Sequence, residues 1–266
     1  MNANINGTNL YYELHGKGDP LLMIQGWGAD VSNWQDIIEP LSKNFQLILF
    51  DNRGMGRSQV TPGDYTTRLM ADDAAALLDY LQISPTHVLG WSMGGAIAQE
   101  LALAYPEKVD QLILSATSAK FSEKCLFICR SQIAAVERQE MATQVNWNLS
   151  FCFSEAFFTN PVRLEEVRGS VFNPQYPGTL AGVISQFAAV AAHNTKGKLG
   201  AIASPTLVIG AEEDGLISIN NLKNLADEIK NSELKILPGS HMYHVENAIA
   251  FSKAVTEFIQ NMGRKS

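Results

Sequence analysis

Cysteine is scarce in this chain: Cys125, Cys129 and Cys152 are the only three, and all fall in one region. An odd, clustered set makes no disulfide framework, so reduced thiols in a cytoplasmic protein are expected. Cys125 and Cys129 stand one helical turn apart, but a structural zinc site wants four ligands, so buried small hydrophobes are expected and no metal or cofactor. Positive charge is in deficit, with 20 Lys and Arg against 27 Asp and Glu for a net charge of -7. With no basic stripe to neutralise phosphates, nucleic acid is excluded as a partner. Nor is there an apolar run long enough to span a bilayer, and Met1-Asn-Ala-Asn-Ile-Asn-Gly7 has neither the basic nor the apolar region of a leader. No membrane partner is expected. Two nucleotide signatures also fail. The loop Asp51 to Ser58 lacks the Lys-Ser/Thr ending of a phosphate loop, and Gly26-x-Gly28 is followed by Val31 where a third small residue is needed.

What is present is a 266-residue chain, 46% apolar and 18% charged, long enough to bury a large core. Its organising stretch is His87 to Ala96, where the apolar run Val88-Leu89 ends in Gly90-Trp91-Ser92-Met93-Gly94-Gly95 and passes into helix-compatible residues. That order reads as the strand, sharp turn and helix of a nucleophile elbow. Such a turn strains the serine backbone and demands small residues two places before and after it, which Gly90 and Gly94 supply. The Met93 N–H, at a helix start, lacks an intrahelical partner and is free to donate to an oxyanion. An elbow of this kind requires an acid and then a histidine downstream, and a second donor from an earlier strand-to-helix loop.

Short continuous apolar runs supply the strands of a parallel sheet: Leu21 to Ile24, Phe45 to Phe50, Val109 to Ala116, Pro205 to Gly210 and Leu234 to Leu237. A strand from Asn9 to Leu14 precedes them. Ser32 is expected to cap a helix carrying Trp34, Ile37, Ile38 and Leu41, and further helices are expected over 66–81, 218–230 and 247–259. Asp51 and Arg53 are expected to hydrogen-bond loop backbone. Between 118 and 198 the alternation stops. Four helices are expected there, over 123–140, 141–158, 162–172 and 180–193, with breaks at Asn160-Pro161, Asn173-Pro174 and Tyr176-Pro177-Gly178. The fold class is therefore α/β, a mostly parallel sheet with helices on both faces. Residues 1–117 and 199–266 form its core, and 118–198 form a helical cap over the strand ends.

The second oxyanion donor falls on the Trp27 N–H, after the Leu21 to Ile24 strand. Asp214, at a strand end and followed by Gly215, is the expected acid, and His241 or His244 the base. Glu212, Glu213 and His244 are the rivals, while His15, His87 and His193 are read as surface or packing residues. A metal site on His241 and His244 lacks a third ligand.

With these residues in place the chain resembles the α/β-hydrolase fold superfamily. The matching segments are Gln25-Gly-Trp-Gly28, Asp51 to Ser58, Gly90 to Gly95, Pro205 to Asp214 and Gly239 to Glu246. Gln25 departs from that pattern, which usually carries His there. The resemblance implies a cofactor-free serine hydrolase acting on a small ester or lactone. Ser92 would be the nucleophile, His241 the general base, Asp214 its orienter, and Trp27 and Met93 the oxyanion donors. A serine at the elbow removes the dehalogenase and epoxide hydrolase chemistries of the superfamily, which use a carboxylate there. The loop at Asp51 is similar to that of 3-oxoadipate enol-lactonases, while Gly-Trp-Ser-x-Gly-Gly is similar to pimeloyl-carrier-protein methyl ester esterases. A cofactor-free perhydrolase and a non-hydrolytic receptor of this fold are the other readings. Eight of twelve phenylalanines fall in the cap, and Trp147, Phe151 and Phe157 are candidates for an apolar acyl pocket. Counted from Ser118 to Lys196, the cap carries seven basic and six acidic residues, leaving the rest of the chain at -8, a contrast suited to an anionic substrate or carrier. A monomer or homodimer is expected.

Overall fold

In the computed structural model, which describes residues 1–172 and 174–263, eight strands form one sheet. They are β1 (Asn2–Ile5), β2 (Thr8–His15), β3 (Asp19–Ile24), β4 (Phe45–Phe50), β5 (Thr86–Trp91), β6 (Val109–Ser115), β7 (Thr206–Ala211) and β8 (Ser232–Leu237). Their spatial order is β1-β2-β4-β3-β5-β6-β7-β8, antiparallel through the first three and parallel from β4 to β8. The sequence reading had no β1. Its signal was the Asn6-Gly7 pair, both at positive φ (48° and 72°), the chemistry of a tight hairpin turn.

Continuous apolar strands arise because this sheet is covered on both sides and successive side chains point to opposite faces. Leu21, Met23, Leu47, Leu49, Leu89 and Ile113 meet α1 (Gln35–Ser42) and the C-terminal helix α11 (Ala248–Gly263) through Trp34, Ile37, Leu41, Phe251 and Val255. Their neighbours Leu22, Ile24, Ile48, Phe50, Val88 and Leu112 meet α2 (Thr67–Leu81), α3 (Met93–Ala104) and α9 (Ile219–Glu228).

Several local expectations change. Asp30, not Ser32, is the cap before α1: its carboxylate accepts the Ser32 N–H and holds a short 3-10 turn over Val31–Trp34. Asp51 does accept loop N–H groups, from Val31 and Arg57 at 2.8 Å each. Arg53 instead turns inward and pairs with buried Asp73, its Nη2 2.6 Å from Oδ1, because a guanidinium without solvent needs a carboxylate.

Between β6 and β7 the chain is helical: α4 (Glu123–Glu137), α5 (Met141–Cys152), α6 (Glu155–Phe158), α7 (Pro161–Phe172) and α8 (Leu180–Ala192). The single helix expected over 141–158 breaks at Phe153-Ser154, where the Glu246 carboxylate draws the Ser154 N–H away from helical pairing. The expected break at Asn173-Pro174 falls partly on Asn173, which lies outside the described residues. This insert has two kinds of core. Phe121, Cys125, Leu126, Cys129, Ala189 and Val190 continue the main core, whereas Val145, Leu149, Cys152, Phe153, Phe157 and Val167 form a small cluster of their own. Among the described residues no helix is long and apolar enough to cross a membrane.

Candidate active site

The strand order reverses direction at β3 and β5, and ligands of parallel α/β sheets bind at such a switch point, beyond the strand ends. In the parallel register Ile24 pairs with Gly90. Two residues further on, the Gln25-Gly-Trp-Gly loop and the Trp91-Ser92 turn therefore lie side by side. A Cβ on Gly26 would fall 2.5 Å from the Trp91 ring and 3.3 Å from the Ser92 Cβ.

Ser92 sits at φ 55°, ψ -118°, a conformation L residues avoid, between β5 and α3. The strain persists because the surroundings fix both sides of the residue. Its N–H donates to the Ser115 carbonyl at 2.8 Å, and its carbonyl accepts the Thr117 hydroxyl at 2.7 Å. The glycines have the expected cause: a Cβ at Gly90 would lie 2.3 Å from the Gly94 carbonyl oxygen, and one at Gly94 would lie 2.0 Å from that of Ile24. Gly94→Ala is therefore expected to push α3 off β3, costing about 3 kcal/mol or more, since backbone cannot give way as a flexible side chain does. A thermal melt reads this; a variant melting with the wild type refutes the packing account.

The structure brings Ser92, His241 and Asp214 together. His241 Nε2 stands 3.0 Å from Ser92 Oγ, and His241 Nδ1 stands 2.9 Å from Asp214 Oδ2. Asp214 Oδ1 accepts the N–H groups of Leu216 and Ile217 at 2.8 Å each, which fixes the carboxylate. Both His241 and Asp214 are almost fully buried, while Ser92 is half-exposed. Burial alone favours a neutral imidazole; the charge and hydrogen bond of Asp214 outweigh it and raise the His241 pKa above its ordinary value. The loop carrying His241 is held by the Trp91 indole N–H, which donates to the His241 carbonyl at 3.0 Å. Tyr243 adds a second anchor, its hydroxyl 2.6 Å from Ser115 Oγ.

None of the three rivals takes this position, and Glu212 is exposed. His244 is enclosed by the rings of Trp34, Trp91, Tyr243 and Phe251, with Asn33 Nδ2 3.2 Å from its Nε2. Glu213 accepts the Glu155 N–H at 3.0 Å. His193 lies buried against Thr67 and Gln99. Burial pushes the His244 pKa down to about 3 and that of His193 to about 4. In the unfolded chain both would titrate near 6.5, so their neutral burial supports folding fully above that pH and progressively less as pH falls towards 4. His241, with its raised value, acts in the opposite sense. The expected contribution of His193 and His244 together is a stability loss of about 3 kcal/mol or more between pH 7 and pH 4, at about 1.4 kcal/mol per pH unit for each group. Urea unfolding across that range measures it, and a flat profile contradicts the buried neutral state.

The backbone N–H groups of Trp27 and Met93 have no hydrogen-bond partner among the described residues. Of the pocket candidates, Phe157 stacks on Phe153 with centroids 4.1 Å apart inside the insert's own core. Trp147 is 42% exposed, and the Phe151 backbone packs on Gly215, beside Asp214. Among the described residues no three His, Cys, Asp or Glu side chains are grouped to hold a metal.

Sequence reasoning missed Glu246. Its Oε1 accepts the Ser240 N–H at 2.9 Å, and its carboxylate also takes the N–H and hydroxyl of Ser154, joining the insert to the residue before His241. Gln186 was missed as well. Its signal was a long amide in the otherwise apolar, small-residue run Leu180 to Ala192.

Comparison with known proteins agrees with this fold. The family model for the alpha/beta hydrolase fold matches residues 19–248. The chain is 30% identical to the 3-oxoadipate enol-lactonase 2 of Acinetobacter baylyi, over 92% of this chain and 91% of that protein. It is 29% identical to a protein of Azorhizobium caulinodans provisionally named carbamate hydrolase RutD, over 94% and 95%. The crystal structure of the enol-lactonase from Burkholderia xenovorans LB400 superimposes with a TM-score of 0.90 at 25% identity, covering 98% of this chain and all of that one. Fold and relatives agree, and the chain belongs to the alpha/beta hydrolase fold family.

Proposed function

We propose that the protein is a serine hydrolase that cleaves a small carboxylic ester or lactone through an acyl-enzyme. The observation that carries this reading is His241 bridging Ser92 Oγ and the Asp214 carboxylate. Ser92 Oγ attacks the carbonyl carbon while its proton passes to His241 Nε2. The N–H groups of Trp27 and Met93 stabilise the oxyanion, a contribution of roughly 3 kcal/mol per donor. Collapse of the tetrahedral species breaks the C–O bond, and the departing alkoxide takes the proton from His241. Water then attacks the acyl carbon, giving its proton to His241 and restoring Ser92. In a lactone the alcohol stays tethered to the acyl group, so the product is one hydroxy acid.

Residues 118–198 act as a cap in this reading, and Trp147 and Phe151, four residues apart on one face of α5, form the proposed apolar wall above the serine. Phe157 supports that wall from the insert's core. The enol-lactonase relative favours a lactone or enol ester among possible substrates.

A panel of esters and lactones of graded acyl length, read beside fluorophosphonate labelling, tests the reading. Turnover and labelling that both require Ser92 support it. Labelling without turnover on any member of the panel would replace it with a binding role for the same pocket.

A further inference from the structure

The proposed oxyanion donor on Trp27 belongs to a short turn that has little to hold it from its own segment. Gln25, which begins the turn, is fully buried, yet neither its amide nitrogen nor its oxygen has a partner among the described residues. The one turn bond within the loop, from Ala29 N–H to the Gly26 carbonyl, is long at 3.4 Å. Gly28 sits at φ 72°, so the chain there has a glycine's freedom unless something else removes it.

What removes it comes from the insert. Gln186, on α8 and fully buried, accepts the Gly28 N–H at its Oε1 (3.1 Å) and donates from Nε2 to the Arg53 carbonyl (2.9 Å). One turn earlier, the Val183 carbonyl accepts the Trp27 indole N–H at 2.9 Å, and Phe187 packs its ring 6.0 Å from the Trp27 ring. Val183, Gln186 and Phe187 have the i, i+3, i+4 spacing of one helix face. That face can approach because Gly182 meets Gly54: a Cβ on Gly182 would lie 1.9 Å from the Gly54 carbonyl oxygen. Trp27 is thereby held twice, by its side chain and by the peptide plane that follows it. The direction of its own N–H follows from those two constraints.

We propose that Gln186 is a positioning residue for the Trp27 oxyanion donor, so that the helical insert completes the reactive site as well as covering it. This rests on the hydrolase reading above. Gln186 touches no reacting atom in this scheme; it acts by fixing the Trp27-Gly28 turn. Preorganised donors lose their value when they must be reoriented during the reaction, and small misplacements cost up to about 100-fold in rate.

The test uses the full-length protein and a p-nitrophenyl ester that the wild type turns over, with a boronic acid as tetrahedral-state mimic. Gln186→Met keeps the volume and removes both hydrogen bonds. It is expected to lower kcat roughly 10- to 100-fold with KM within about threefold, and to weaken the boronic acid by the same factor as kcat/KM. The acid limb of the pH profile should not move, because His241 is untouched. Gln186→Glu, which retains an acceptor for the Gly28 N–H, should recover most of the loss. If Gln186→Met fails to fold, Gln186→Asn, which draws the amide back by one methylene, is expected to show the same split. Ile184→Ala, on the exposed side of α8, should behave as wild type. Folded Met or Asn variants with native kcat and native boronic acid affinity overturn the proposal, as does a loss confined to KM. A wild type that neither labels with fluorophosphonate nor turns over any ester sinks the hydrolase reading and this inference together. An active wild type with indifferent Gln186 variants sinks this inference alone.

Discussion

Ser92→Ala is expected to lower kcat by about 10⁴- to 10⁶-fold, leaving only what the oxyanion donors and substrate binding give without a nucleophile. The size of the loss follows from how little else the hydroxyl does. Among the described residues its one hydrogen-bonding neighbour is His241 Nε2, and the residue is partly exposed, so water can replace the lost partner. The backbone bonds that hold the strained turn, to Ser115 and from Thr117, do not involve the side chain. A melting temperature within a few degrees of wild type is therefore expected alongside a dead enzyme and complete loss of fluorophosphonate labelling. Steady-state kinetics on a purified variant decides it. Retention of more than about a hundredth of the activity would move the chemistry to another group.

The companion result is for Asp214→Asn, where a loss of about 10⁴-fold in kcat is expected, as in serine hydrolases with this arrangement. The structure supplies the reason. Asp214 Oδ1 already accepts two backbone N–H groups, from Leu216 and Ile217, and an asparagine keeps its carbonyl oxygen on those donors. Its NH₂ group is then forced towards His241 Nδ1, 2.9 Å away in the wild type. A donor at that position makes Nδ1 an acceptor and puts the ring proton on Nε2, facing Ser92, so that Nε2 has no lone pair left to accept the serine proton. The pH dependence moves too. With Asp214 in place the raised His241 pKa puts the acid limb of kcat/KM above about 6.5, since the base works only when neutral. Without the carboxylate, burial dominates and the limb shifts to lower pH while the plateau collapses. An unchanged midpoint would show that some other group governs the limb.

The elbow was legible in the sequence because its requirements are local. Gly90 and Gly94 are needed wherever a strand must turn into a helix at such close range, and the clash distances at both positions give that requirement its cause. The α/β alternation was legible for a similar reason. Leu21 to Ile24 is apolar at every position only if both faces of the strand are covered, as they are. Reading was poorest where a partner far along the chain decided the outcome. Arg53 turned to Asp73, twenty residues on, and Ser154 broke an expected helix for Glu246, ninety-two residues on. His241 and His244 are chemically alike and three residues apart, and in the sequence only the spacing to Glu246 within the α/β-hydrolase pattern separates them. One is turned between Ser92 and Asp214, and the other is shut among aromatic rings.

By itself, then, the sequence determined every strand but β1, the elbow and the candidate reactive side chains, because these depend on apolar periodicity, backbone sterics and residue chemistry within a few positions. The tertiary structure alone decided how His241 and His244 are turned apart and which residues brace the turn at Trp27. Those choices depend on the register of β3 against β5 and on the seating of α8 over Gly54, and both are contacts between segments with no shared local pattern.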